Sequence, residues 1–319
     1  MSEKRYFFFG LPGNSLAKSL INCVATNPQF QYSADGEFTP KELIQIAKDR
    51  HLKCVALSDH NCMLGVDTMI EEGKQAGIQV ILAIEFSTFF QPDIECHLLG
   101  YHFDYHKDYF TTLHEQTQKL SDDAFLLRVK KFKETYHIDF DEEKIIKDSN
   151  GENPWFMLCD TIFNDPKNAD IEDFKDYRAG GKRSNPAPVN FFWDKCQKGS
   201  PLYVHVEYPS FKDTVQLIHD AGGIAVLAHP FATFYQKEAL LDLAVSYGID
   251  GIEAYSNYHE PKHNHYYADY AKKHNLLITC GSDFHGKHKP SIHMGDVGEE
   301  VENADEILQK FLEAIKVNQ

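Results

Sequence analysis

A chain of 319 residues, 42% of them hydrophobic, is long enough for one barrel-sized domain or two ordinary ones around a large core. Its formal charge of −16 argues against a protein that coats nucleic acid, because phosphate backbones are gripped by Lys and Arg; a phosphorylated substrate stays possible where metal cations invert the sign locally. No run approaches the roughly 18 apolar residues of a membrane span, and the seven Cys (23, 54, 62, 96, 159, 196, 280) are scattered without C-x-x-C spacing, so the chain reads as cytoplasmic with reduced thiols.

Residues 1–24 form an extension of unclear role, with the aromatic run Tyr6-Phe7-Phe8-Phe9 and then Leu20-Ile21-Asn22-Cys23-Val24 as a first strand. Ser33-Ala34-Asp35-Gly36 is a turn signal, and Thr39-Pro40-Lys41-Glu42 starts a helix, with Thr as N-cap and Pro at the first helical position. That helix hands over to the strand Cys54-Val55-Ala56-Leu57-Ser58-Asp59-His60. A second helix from about Cys62 to Ala76 stops at Gly77, before a strand ending at Glu85, and His97-Leu98-Leu99-Gly100-Tyr101 is another short strand. The strand-helix alternation predicts parallel strands joined by right-handed crossovers.

Residues 108–198 break the rhythm with helical signals over Tyr109 to Tyr136, Asp141 to Lys147, Trp155 to Phe163 and Val189 to Cys196, and a polar loop from Arg178 to Pro186. Alternation resumes with the helix Ser210 to Ala221, a strand ending at His229-Pro230, the helix Lys237 to Tyr247 and the strand Gly251 to Tyr255. The helix Lys262 to His274, a strand to Cys280 and the helix Ala304 to Val317 complete the chain.

Five of these strands end in residues that bind hard or borderline metals: Asp59-His60, Glu85, His229, Glu253, and Asp283 with His285 just beyond Cys280-Gly281. A single His or carboxylate at such a place is more often a cap or a hydrogen-bonded bystander. Their recurrence points to convergence, since ionisable groups are costly to bury together unless a cation compensates them. Imidazole mixed with carboxylate suits zinc, manganese or iron, and a carboxylate such as Glu85 can bridge two ions. No G-x-S-x-G elbow, Walker A loop or dinucleotide fingerprint competes with this reading.

As an ordered set, Ser33-Ala34-Asp35-Gly36, Leu57-Ser58-Asp59-His60-Asn61, Ile84-Glu85-Phe86-Ser87, His97-Leu98-Leu99-Gly100-Tyr101, Ala228-His229-Pro230, Gly251-Ile252-Glu253 and Gly281-Ser282-Asp283-Phe284-His285-Gly286 resemble the motifs of the polymerase and histidinol phosphatase (PHP) family. The resemblance covers about residues 30–104 and 200–290. It implies an α/β fold, a distorted (β/α)7 TIM-like barrel over residues 25–107 and 199–319, with a mostly helical insertion over residues 108–198. It also implies two or three divalent metal ions (manganese, zinc or iron) held by Asp35, His60, Glu85, His97, His229, Asp283 and His285. Glu85 would bridge two ions, Asp283 would belong to the first site, Asp59 would orient His60, and Asp59, Glu85 and Asp283 would be the catalytic carboxylates. The family opens with D-x-H-x-H, and counting back from Ser33 places Ala25, Asn27 and Gln29 at those positions, so both histidines of the first site are replaced.

The expected activity is hydrolysis of a phosphoester in a small phosphorylated metabolite, such as a nucleotide, by a metal-activated water, with no membrane or stable nucleic-acid partner. A catalytically weakened relative that binds a ligand or partner protein, and a histidinol phosphatase, are the alternatives. Arg178, Lys182 and Arg183 in the polar loop, and His259, are candidate phosphate contacts, the competing reading for the loop being a solvated surface.

Overall fold

The computed structural model describes residues 23–24, 38–92, 94–149, 153–286 and 289–317. Seven strands pair in sequence order into one sheet: β1 (Cys23–Val24), β2 (Cys54–Leu57), β3 (Gln79–Gln91), β4 (Ile94–Tyr101), β5 (Ile224–Leu227), β6 (Gly251–Ser256) and β7 (Leu277–Gly281). The fold is thus mixed α/β. Among the described residues the ladder runs from β1 to β7 without a pairing that closes it.

Pairing is parallel at β1–β2–β3 and at β5–β6–β7, but β4 runs antiparallel to both of its neighbours. The expectation of parallel strands therefore fails in the middle of the sheet. Only residues 92–93 separate β3 from β4, and a parallel crossover needs about a dozen residues or more, so the chain turns back as a hairpin. Strand β3 also runs six residues beyond Glu85, which makes that carboxylate a mid-strand residue.

The helices form where local chemistry dictates. In α1 (Pro40–Asp49) the Thr39 hydroxyl accepts from Glu42 N at 3.3 Å while the Glu42 carboxylate accepts from Thr39 N at 2.8 Å, a closed capping box. α2 (Val66–Ala76) begins four residues later than expected and stops at Gly77, whose φ of 72° is the left-handed value glycine adopts at little cost. With α7 (Phe211–Asp220), α9 (Glu238–Ser246) and α10 (Pro261–Lys273), these helices cover one face of the sheet, meeting Val55, Leu57, Ile84, Leu98 and Leu227. The alternate residues Cys54, Ala56, Ile81, Ala83, Leu99, Tyr101 and Val226 face the other way and pack with Leu308, Phe311 and Ile315 of α11 (Ala304–Val317). One sheet face thus belongs to a layer of helices and the other to the last helix.

Phe311 is fully buried there, its ring edge-on to Tyr101 at 5.0 Å. Phe311→Ala is expected to destabilise the protein by about 3–5 kcal/mol, read as a lower midpoint in urea unfolding. A shift below about 1 kcal/mol would mean that α11 contributes little to the core.

Between β4 and β5 lie α3 (Asp108–Tyr136), α4 (Glu142–Asp148), α5 (Pro154–Asn164), two 3-10 turns (Pro166–Asn168 and Glu172–Tyr177) and α6 (Ala187–Lys195). They enclose an aromatic cluster of their own, in which Phe132, Phe174 and Phe191 are fully buried beside Trp155 and Phe163. The short helix α8 (Pro230–Phe234) follows His229 directly. Cys54, Cys62, Cys96, Cys159, Cys196 and Cys280 are buried free thiols, as composition suggested.

Candidate metal centre

Strands β2 and β3 bring the first histidine to the central carboxylate. Beyond Leu57 the chain stays beside β3, with Glu85 N donating to Asp59 O at 3.1 Å and Asn61 N donating to Glu85 O at 2.9 Å. His60 Nε2 then lies 4.0 Å from Glu85 Oε2. From the hairpin partner β4, His97 Nδ1 reaches Glu85 Oε1 at 2.7 Å, and from the end of β5, His229 Nε2 reaches the same oxygen at 3.2 Å. The two imidazole nitrogens are themselves 3.2 Å apart.

Glu85 Oε1, His97 Nδ1 and His229 Nε2 therefore form a triangle with edges of 2.7, 3.2 and 3.2 Å. Each facing nitrogen carries at most one proton, so at most two of the three edges can be bridged by hydrogen. Donor atoms bound about 2.0–2.1 Å from a tetrahedral ion lie about 3.3–3.4 Å apart. The two 3.2 Å edges approach that spacing while the 2.7 Å edge is a hydrogen-bond distance, the donor types suit a divalent cation, and His60, Glu85 and His97 offer donor atoms all within 4.8 Å of one another.

Electrostatics agree with the geometry. Burial works to raise the pKa of Glu85, but the charges of His60 and His97 and hydrogen bonds from His229 and His97 outweigh it and hold the carboxylate well below its usual range. Glu85 remains a ready anionic ligand.

The remaining expected residues fall into separate places. His285 is buried with its ring 6.1 Å from that of His60, and its Nδ1 donates to Asp283 O at 2.8 Å. That bond places the lone pair on Nε2, the atom that binds a metal. Asp283 is buried, with Oδ1 3.4 Å from His285 Nδ1 and Oδ2 ion-paired with Lys289. Burial opposes its ionisation, yet His285 and Lys289 prevail and depress its pKa. Asp59 is buried beside His60. Asp35, like Ala25, Asn27 and Gln29, lies outside the described residues.

The loop cations sit on other partners. The Arg178 guanidinium donates to the carbonyls of Phe163 at 2.9 Å, Ala169 at 2.8 Å and Asn168, Arg183 holds Asp194 through two 2.9 Å bonds, and Lys182 is exposed. His259 is buried with Nδ1 3.0 Å from Ala254 O and 2.9 Å from Asn264 Oδ1, while Nε2 accepts from Phe231 N at 3.4 Å. Burial is the main cause that lowers its pKa to about 4, so it packs as a neutral ring.

A buried neutral His has a stability consequence. With an unfolded value of about 6.5, the unfolded chain takes up the proton first as pH falls, so stability drops between about pH 6.5 and 4 and is fully present above that window. The loss should reach roughly 3 kcal/mol. In His259→Gln the acid side of the stability–pH curve should be flatter by that amount; parallel curves for the two proteins would show that His259 titrates normally.

Sequence reasoning missed several connections. Glu253, one of the nominated strand-end residues, accepts from His229 N at 3.0 Å, and burial is the leading cause that raises its pKa to about 7; its position was legible but its bond to His229 was not. Arg128 of α3 lines, together with His97 and His229, a cavity of about 360 Å³ that Trp193, Lys198 and Tyr203 help to wall. Its Nε is buried without a hydrogen-bond partner among the described residues, and its guanidinium lies over Phe192 at 5.1 Å and Trp155 at 5.6 Å. The available signal was its helical spacing from Phe125 and Phe132, which puts a cation on an apolar face. A larger cavity of about 600 Å³, between the start of β3 and α11, contains none of the clustered residues.

An α/β sheet gathers three histidines around one buried carboxylate beside a cleft, a group of side chains that could hold a metal ion. The PHP domain model matches residues 29–319, and the chain belongs to the PHP family. Among curated proteins it is 26% identical over 257 residues to a 5'-3' exoribonuclease of Haemophilus influenzae, covering 79% of this chain and 86% of that one. It is 24% identical over 267 residues to a phosphoribosyl 1,2-cyclic phosphate 1,2-diphosphodiesterase of Eggerthella lenta, covering 82% and 94%. A 3',5'-nucleoside bisphosphate phosphatase of Chromobacterium violaceum is 37% identical over 91 residues, 27% of this chain and 32% of that one. Solved structures share the fold: a protein of Bifidobacterium adolescentis described as a metal-dependent phosphoesterase superposes with TM-score 0.68 at 21% identity, covering 92% and 97% of the two chains. A Chromobacterium violaceum amidohydrolase solved with sulfate and no metal gives 0.68 at 22%, covering 93% and 97%. Among the described residues no helix is long and apolar enough to cross a membrane.

Proposed function

We propose that this protein hydrolyses a phosphoester in a small phosphorylated metabolite of the nucleotide type. The observation that carries the proposal is the Glu85–His97–His229 triangle opening into the cleft that Arg128 lines. Glu85, His97 and His229 would hold one divalent cation (manganese, zinc or iron), and His60, His285 and Asp35 another. When bound, such ions activate water and stabilise charge on phosphoryl oxygens. The chain's own contributions are orientation and charge: Glu253 fixes the backbone of His229, His285 is set by Asp283, and Arg128 brings a guanidinium stacked on Trp155 and Phe192 to the cleft wall. Residues 25–107 and 199–319 would form the distorted (β/α)7 barrel, with 108–198 inserted as the cleft's second wall.

The names of the three curated relatives, an exoribonuclease, a cyclic phosphate phosphodiesterase and a nucleoside bisphosphate phosphatase, support trying nucleotide-type esters first. The test is hydrolysis by the purified protein with manganese, zinc or ferrous iron, read as phosphate released from an aryl phosphate, nucleoside bisphosphates and histidinol phosphate and as monoester or nucleotide products from cyclic phosphates and short RNA. Absence of turnover across all metals and substrates would end the proposal.

Arg128→Met, which keeps the stacking on Trp155 and Phe192 but removes the charge, should raise KM about 10–100-fold, the worth of a hydrogen bond to a charged group, and change kcat much less. An unchanged KM would remove Arg128 from the substrate site. A second reading, a catalytically weakened relative that binds a phosphorylated ligand, is favoured by the engagement of Asp283 with Lys289; a ligand-induced rise in Tm without phosphate release would establish it.

A further inference from the structure

Asp283 belongs to a metal-ligand motif by resemblance, yet its carboxylate is engaged in this chain. The Lys289 ammonium sits on Oδ2 and also donates to Tyr258 OH at 3.0 Å, while lying 5.5 Å from the centre of the Tyr258 ring. That ring is 4.9 Å from the ring of His229, so the group borders the metal centre. Oδ1 faces His285 Nδ1 at 3.4 Å. Both oxygens of Asp283 thus have cationic or hydrogen-bonding neighbours, and the Asp283 and Lys289 side chains are 10% and 23% exposed.

We infer that Lys289 stands where an ion bound to Asp283 would stand, so that this chain carries a fixed positive charge in place of one exchangeable cation. A dication bonded to Oδ2 would have to displace the ammonium from a mostly buried position or rest against it, and two like charges in a poorly screened site repel strongly. The substitution is also balanced in charge: a buried carboxylate that lost its metal would be unpaired, and the ammonium supplies the missing partner. Lys289 is accordingly a positioning residue that holds Asp283, and through it His285, without an ion.

This inference rests on the metal-centre reading, and the test separates the two. Asp283→Asn/Lys289→Met removes both charges together, leaving no buried ion unpaired. Zinc and manganese binding to the wild type and to this double variant would be measured by titration calorimetry and elemental analysis, with Tm as a control for folding. The expected result is the same number of ions per chain, with an affinity weakened by about tenfold or more because His285 loses the carboxylate beside it. Loss of one ion per chain would make Asp283 a ligand and overturn the inference. Should the variant not fold, anomalous scattering from metal-loaded wild-type crystals decides: an ion bonded to Asp283 overturns it, and ions at Glu85, His97 and His229 with Lys289 still on Asp283 support it. No ion anywhere in the wild type would refute the metal centre itself, and this inference with it.

Discussion

Glu85→Gln is expected to strip the centre of tightly bound metal and to lower turnover by more than about a hundredfold, since changes one layer outside a metal already cost about 10–100-fold. The substitution keeps the shape of the side chain and removes only the charge. In the wild type that charge is the shared partner of His60, His97 and His229, and a neutral amide is a far weaker ligand toward zinc. Elemental analysis and steady-state kinetics read the two effects separately. Wild-type metal content in the variant would mean that the imidazoles suffice without the carboxylate.

The second large effect belongs to a residue with no functional side chain. A Cβ on Gly281 would lie 1.8 Å from Glu253 Oε1 and 2.6 Å from Glu253 Cδ, a clash that only movement of Glu253 can relieve. Glu253 is buried and accepts from His229 N, so the displacement reaches the metal centre through one hydrogen bond. Gly281→Ala is therefore expected to cost about 1–3 kcal/mol of stability and to weaken metal binding by about tenfold or more. Unfolding measurements and metal titration test both parts. A destabilised variant with wild-type metal affinity would show that Glu253 does not hold His229 in place.

How much of this was legible beforehand follows from the range of each interaction. The start of α1 could be read because a capping box is closed by residues three apart. The helices of residues 108–195 and the apolar runs of β2, β5, β6 and β7 announce themselves through local periodicity. The β3–β4 hairpin was hidden by Glu85 itself. A carboxylate inside an apolar run looks like the end of a strand, and here it is tolerated in mid-strand because imidazoles from β4, the end of β5 and the segment after β2 compensate it. The same long-range dependence concealed Lys289 and Arg128, whose meaning comes from Asp283 and from a cleft built by residues far away in the chain. Residues that bind a metal could be nominated from their type. Which of them are engaged by other protein groups could not.

The cleft has two walls with separate foundations. The histidines stand on the sheet, whereas Arg128 and Trp193 stand on helices with their own aromatic cluster. If the proposed activity holds, reaction chemistry and molecular selectivity would thus rest on different sets of buried contacts. Drift in the helical segment could shift Arg128 and exchange one anionic compound for another while the bond-breaking machinery stays untouched, which would let relatives with similar centres diverge in what they accept.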